Sequence, residues 1–385
     1  MSTATAANAN EISRVEPLPI HERTTADLRF TGRGVVAAFL DSGFYAHPDL
    51  MTPTPRILGY YDLIGGTCGG PELLNNNADP SCWHGMMSSV VAAGNGSLSG
   101  GHFRSLAPDM KLVLMKVGSL SRVKHDDITR GIEWMLINKD RYNIRILNIS
   151  CGGDYEVSYL QDKLCKSAED AVRAGIVVVC AVGNRGDRPG YVVPPASSPS
   201  VIAVGGVDDA GNPHLGKVGM YRSSYGPTVD GLQKPEVITI ADWLAAPLLP
   251  GTPTARQAEL LHRLAQAPDS ELNAIVAENP GVLSSLDEAK ERAPYLIRQI
   301  VATGLRDGLV INEHYKMVDG TSFAAPIVTS VVAQMLEANP SLTPQQVKRI
   351  LIQTARRLPN VEVDRQGWGA IQPRLAVEKA LELRR

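Results

Sequence analysis

No apolar run in this chain reaches the length of a membrane span, and neither sign of charge prevails. A formal net charge of −2 over 385 residues gives no field that would draw the protein to a polyanion or an anionic bilayer. Nucleic-acid and membrane partners are therefore not expected. Cysteine is scarce and odd in number: Cys68, Cys82, Cys151, Cys165 and Cys180. Their spacing supplies no four-ligand zinc set. Met1 to Ala6 has neither the basic flank nor the apolar centre of a secretory leader. Together these absences lead to the expectation of reduced thiols and a cytoplasmic location. Cys68 and Cys82 bracket Gly69 to Ser81 and would be the pair to join if the chain were exported.

The composition otherwise describes a globular protein with a real core, at 44% hydrophobic and 20% charged residues. Its 35 glycines and 26 prolines suit many tight turns. Short apolar runs at 35–40, 111–117, 144–149, 176–182, 201–205 and 235–240 alternate with helical stretches. That alternation predicts an α/β fold, a mostly parallel β-sheet flanked by helices on both faces. Residues 1–30 are polar and aperiodic, and are expected to form a loosely packed arm or an extension lying over the site. Residues 31–385 form the main domain, interrupted by a helical insertion at 246–313. Leu260, Leu261 and Leu264 mark one helix there. Ser285-Leu286-Asp287-Glu288 reads as a capping box opening another, through Arg298 to Leu305. Thr343-Pro344-Gln345-Gln346 opens a C-terminal helix in the same way.

Four segments carry chemistry. Val35 to Gly43 is a buried strand ending in Asp41, where open α/β sheets place their reactive groups. Trp83-His84-Gly85 opens a helical stretch, and Ile176 to Val182 runs into Gly183-Asn184. Gly320-Thr321-Ser322-Phe323-Ala324-Ala325-Pro326 puts a serine at the mouth of a buried helix, beside free N–H groups that favour a developing oxyanion. Each has a plainer reading: Ser322 as an N-cap, Asn184 as a turn former, His84 as one of eight histidines.

In the order Asp, His, Asn, Ser, these segments resemble the subtilisin-like serine proteases, the subtilases. Asn148-Ile149-Ser150-Cys151-Gly152-Gly153, Ser200 to Gly205 and Ser223-Ser224-Tyr225-Gly226-Pro227 extend the likeness, which runs from about Gly34 to Ala380. The order separates the chain from α/β-hydrolases and chymotrypsin-like enzymes. The resemblance implies a subtilisin-like fold and a serine endopeptidase acting on extended or unfolded polypeptides. Ser322 would be the nucleophile, His84 the base, and Asp41 the group that orients it. Asn184 would donate to the oxyanion. Ser150, Cys151, Gly152 and Gly153 would pair with the substrate main chain on one side. Arg122, Val123 and Lys124 would lie on the other, with Arg185 at the rim of the primary pocket. These cations suggest tolerance of acidic substrate side chains. A transpeptidase or macrocyclase, and a silent binding module, are the alternatives.

No cofactor is needed for this chemistry. A structural calcium site is not recognisable in Gly94 to Gly101, so the metal content stays open. Met86 and Met87 stand where the family has threonine and a second histidine, and Ile238 to Ala241 replaces its proline-glycine. The insertion would rise beside the leaving-group side of the cleft, as surface decoration, as a lid, or as a docking site for a protein partner.

Overall fold

The structure, a computed structural model, describes residues 17–74, 79–119, 122–153, 155–216 and 218–384. Along the chain run α1 (Ile20–Arg23), β1 (Val36–Asp41), α2 (Pro48–Met51), β2 (Ile57–Asp62), β3 (Thr67–Gly69), α3 (Cys82–Ala93), β4 (Lys111–Lys116), β5 (Gly118–Ser119) and β6 (Arg122–Val123). There follow α4 (His125–Tyr142), β7 (Ile144–Ile149), α5 (Lys163–Arg173), β8 (Val177–Ala181), β9 (Ile202–Asp208), β10 (Gly219–Met220), β11 (Val237–Ile240) and β12 (Leu244–Pro247). The last part holds α6 (Pro253–Gln266), α7 (Leu272–Glu278), α8 (Ser284–Glu288), α9 (Pro294–Asp307), β13 (Tyr315–Val318), α10 (Thr321–Ala338), α11 (Pro344–Thr354), α12 (Val363–Gln366) and α13 (Pro373–Glu382).

The main sheet has the order β10-β9-β8-β7-β1-β4-β2-β3, with β11 also on β9. Every pair is parallel except β3 on β2 and β10 on β9. Successive residues of β1 explain the continuous apolar run. Ala37 and Phe39 enter the core under α3, α10 and α13, while Val36, Ala38 and Leu40 enter the core under α4 and α5. A strand covered on both faces has no polar side to show. All six expected strands form, within one to three residues at their ends. Strand β2 was not legible, because Gly59 interrupts its pattern. A Cβ at 59 would sit 3.0 Å from Tyr142 Oη, so the ring of α4 occupies that place.

The described half of the arm is fastened rather than loose. Ile20 and Ala26 join the main core, and Leu18 N–H donates to the Gly211 carbonyl at 3.0 Å. Buried Arg23 forms a two-point ion pair with Asp209 and donates to the carbonyls of Asp242 and Trp243 at 2.7 Å each. From α10, Glu337 Oε2 accepts the N–H groups of Thr31 and Gly32 at 2.7 Å. Residues 1–16 of the arm lie outside the described residues. Removing the guanidinium leaves Asp209 buried without its partner, so Arg23→Ala should lower the unfolding free energy by about 3 kcal/mol. Urea denaturation reads this directly, and a change under about 0.5 kcal/mol would show that the arm is not pinned there.

The insertion hangs from a hairpin. Strands β12 and β13 pair from Leu244↔Val318 to Pro247↔Tyr315, and the chain between them builds its own core from Leu261, Leu264, Leu272, Ile275, Ile297, Val301 and others. The single helix expected over 285–305 is two helices. α8 stops at Glu288, and Pro294 takes the first turn of α9, where its missing N–H costs nothing. The expected capping box is not formed: α8 follows Leu283 without a side-chain cap. That at Thr343 is complete. Among the described residues, no helix is long and apolar enough to cross a membrane.

All five cysteines are free, so Cys68 and Cys82 are not bonded. The loop 94–101 is held by protein groups. Asp49 Oδ1 accepts from Ser97 Oγ at 2.9 Å and Leu98 N–H at 3.2 Å, and Asp49 Oδ2 accepts from Tyr315 Oη at 2.6 Å.

Candidate active site

Asp41 ends β1, near the middle of the sheet, and its side chain is 1% exposed. A buried carboxylate needs donors, and three residues supply them. Oδ1 accepts from Ser42 N–H at 2.7 Å and from His84 Nδ1 at 2.8 Å, and Oδ2 accepts from Ser88 Oγ at 3.3 Å. Ser88 lies four residues after His84, one turn along the same face of α3. That spacing could have marked Ser88 in the sequence.

Gly85 lets α3 come this close. A Cβ there would meet Asp41 Cβ at 2.9 Å and would collide with the Gly43 carbonyl. The imidazole of His84 lies between the rings of Trp83 and Phe323, at centroid distances of 5.3 and 5.8 Å. Burial works against its charged form. The charge of Asp41 and the hydrogen bond outweigh burial, and together they raise the His84 pKa above the ordinary histidine value. With Nδ1 committed to Asp41, Nε2 is the nitrogen left to take up a proton.

Ser322 is the second residue of α10 and is 9% exposed. Gly320, at φ 138°, makes the sharp entry into the helix. The Ser322 hydroxyl donates to the Ser150 carbonyl at 3.0 Å, and Ser150 Oγ donates back to the Ser322 carbonyl at 3.0 Å. Asn148 Nδ2 supports Ser150 Oγ at 2.9 Å, and Thr329 of α10 supports Asn148 Oδ1 at 3.0 Å. The structure thus joins His84 to Asp41 and places Phe323, the residue after Ser322, against the imidazole. The Ser322 hydroxyl itself is turned toward Ser150. The reciprocal Ser150–Ser322 link was not legible in the sequence, where Ser150 reads only as part of a substrate strand.

Asn184 is exposed just beyond β8. Its Oδ1 accepts from Thr321 N–H and Thr321 Oγ1, both at 2.9 Å, which leaves its NH₂ group turned away from Thr321. The Ser322 N–H has no partner among the described residues. Two donors therefore stand at the head of α10, one from the backbone and one from an amide.

The other expected residues flank this point. The segment 150–153 leaves the C-terminal end of β7, and 117–124 leaves that of β4. These strands border β1 on either side, so the two segments straddle Asp41. The main-chain groups of Gly152 have no partner among the described residues, while Gly153 N–H donates to the Pro194 carbonyl at 2.8 Å. Cys151 is inert as a nucleophile, because burial pushes its thiol far above the ordinary range. Arg122 and Lys124 are exposed and Val123 is half-buried. Arg185 is exposed and folds over Tyr191, with Nη1 at 2.8 Å from Tyr191 Oη and Cζ at 4.7 Å from the ring centroid. Among the described residues, no group of three or more His, Cys, Asp or Glu side chains could hold a metal ion.

Comparison with known proteins shows the family of the chain. Serine protease AprX of Bacillus subtilis is 30% identical over 355 residues, covering 89% of this chain and 65% of AprX. Subtilisin of Bacillus pumilus is 32% identical over 206 residues, covering 52% of this chain and 64% of that protein. The chain thus spans slightly less than two thirds of the length of these relatives. The solved CspB protease of Clostridium perfringens shares the fold, with a TM-score of 0.67, 14% identity, and coverage of 94% of this chain and 98% of that one. The profile of the Subtilase family matches residues 32–369, so the chain belongs to the subtilase family.

Proposed function

We propose that this chain is a serine endopeptidase that hydrolyses peptide bonds in extended or unfolded polypeptides through an acyl-enzyme on Ser322. The observation that carries the reading is the part-buried 2.8 Å hydrogen bond from His84 Nδ1 to Asp41, held against the start of α10. A turn about the Ser322 Cα–Cβ bond moves the hydroxyl from the Ser150 carbonyl toward Nε2. Nε2 takes the proton as Oγ attacks the scissile carbonyl. Asp41 fixes the tautomer and stabilises the imidazolium. The oxyanion accepts hydrogen bonds from Ser322 N–H and Asn184 Nδ2. The imidazolium protonates the departing amine, and water then repeats the sequence on the ester.

The substrate main chain runs between 150–153 and 122–124. An extended peptide bound through its backbone can carry many side chains, which suits unfolded substrates. Arg122, Lys124 and Arg185 give this rim a positive character.

Product masses test the reading against an acyl transfer to an amine. With an unfolded protein substrate, the fragment masses should sum to the substrate plus one water for each cut. Products that gain no water would show transpeptidation or cyclisation, and an intact substrate would leave only a binding role.

A further inference from the structure

We infer that Thr329 and Asn148 are positioning residues for the nucleophile, acting on the Ser322 backbone through Ser150. This inference rests on the peptidase reading, since it concerns the placement of the same serine. Pro326 lies four residues after Ser322, inside α10. It has no N–H, so the Ser322 carbonyl lacks its ordinary helical donor. Ser150 Oγ takes that place at 3.0 Å. Ser150 directly follows β7, which pairs with β1 and sets Ile149 opposite Leu40. The residue that holds Ser322 therefore stands beside the strand that ends in Asp41.

The available protons fix the direction of this link. A carbonyl only accepts, so the single hydroxyl proton of Ser150 is committed to Ser322. Ser150 Oγ must then accept from its other neighbour, and Asn148 Nδ2 donates to it at 2.9 Å. With its NH₂ turned to Ser150, Asn148 presents Oδ1 to α10, where Thr329 Oγ1 donates at 3.0 Å. Asn148 and Thr329 are fully buried, so bulk water has no access to replace a lost partner. Ser322 and Thr329 are seven residues apart, two turns along one face of α10. Losing the Thr329 hydroxyl strips Asn148 Oδ1 of its donor, frees the amide to rotate and releases Ser150 from the Ser322 carbonyl. The Ser322 Oγ and the Ser322 N–H that serves the oxyanion then drift together from the frame of His84 and Asp41.

Two substitutions at one position separate positioning from packing. Thr329→Val keeps the shape of the side chain and removes the donor, whereas Thr329→Ser keeps the donor and drops a methyl group. Fluorophosphonate labelling of Ser322, peptide cleavage and melting temperature are measured on both, beside wild type. In Thr329→Val, kcat and the labelling rate should fall together by about ten- to a hundredfold, the scale of a small misplacement of reacting atoms, with KM little changed. Thr329→Ser should retain both rates even though the lost methyl lowers its melting temperature. Should Thr329→Val fail to fold, Ser150→Ala removes the last donor of the chain and should slow both rates in the same way. A Thr329→Val protein that melts earlier but is labelled at the wild-type rate would overturn the proposal, as would Thr329→Ser as slow as Thr329→Val. Absence of labelling in wild type would instead remove the peptidase reading, and this inference with it.

Discussion

Ser322→Ala should lower kcat on an unfolded polypeptide by about 10⁶ and abolish labelling by a fluorophosphonate. The magnitude is the one known for subtilisin, whose nucleophile contributes that much. The structure explains why this loss would be chemical. The substitution removes one hydroxyl and its bond to the Ser150 carbonyl, a net contribution of about 1 kcal/mol. The return bond from Ser150 Oγ to the Ser322 carbonyl stays, as do the apolar neighbours that bury α10. The variant should therefore fold, melt near the wild-type temperature and still bind peptides. Residual turnover within tenfold of wild type would dismiss Ser322 as the nucleophile.

Asp41→Asn is the second large effect. The amide is close in shape to the carboxylate but cannot reproduce its charge, and it presents an N–H₂ that favours the wrong imidazole tautomer. A fall in kcat of about 10⁴ is expected, the size seen when the corresponding group is neutralised in serine proteases. The pH profile gives an independent reading. The base works only when neutral, so activity falls as pH drops through the His84 pKa. Asp41 raises that value, so the acid limb in the native protein should lie above about 6.5, the unperturbed histidine value. In Asp41→Asn the raising influence is gone while the burial remains, and the limb should move to lower pH. A limb that stays fixed would mean that another group titrates.

The central strands were legible because they are buried on both faces and so appear as short, mostly apolar runs, as in Val177–Ala181. The four principal candidate residues stand out in the sequence because each sits near an element boundary marked by glycine: Asp41 before Ser42-Gly43, His84 before Gly85, Asn184 after Gly183, Ser322 after Gly320. Those glycines are where backbones approach or turn, as the contact of Gly85 with Gly43 illustrates. The rest depended on long-range encounters that no local pattern encodes. Arg23 meets Asp209 across 186 positions, and Ser150 meets Ser322 across 172. The arm looked loose because its anchors, Asp209, Gln334 and Glu337, belong to distant elements. The break before Pro294 was readable in principle, and the leucine spacing around it concealed the break.

The 67 or so residues threaded between β12 and β13 leave and re-enter the molecule at one rung of the ladder, Pro247 opposite Tyr315. Closing such a loop costs entropy that grows only logarithmically with its length. The catalytic framework is therefore nearly indifferent to how much chain is spliced in at that point. Lineages sharing this framework could lengthen, trim or exchange the module without disturbing Ser322, four residues beyond β13. The hairpin tip is accordingly the natural place to graft a foreign domain onto this scaffold.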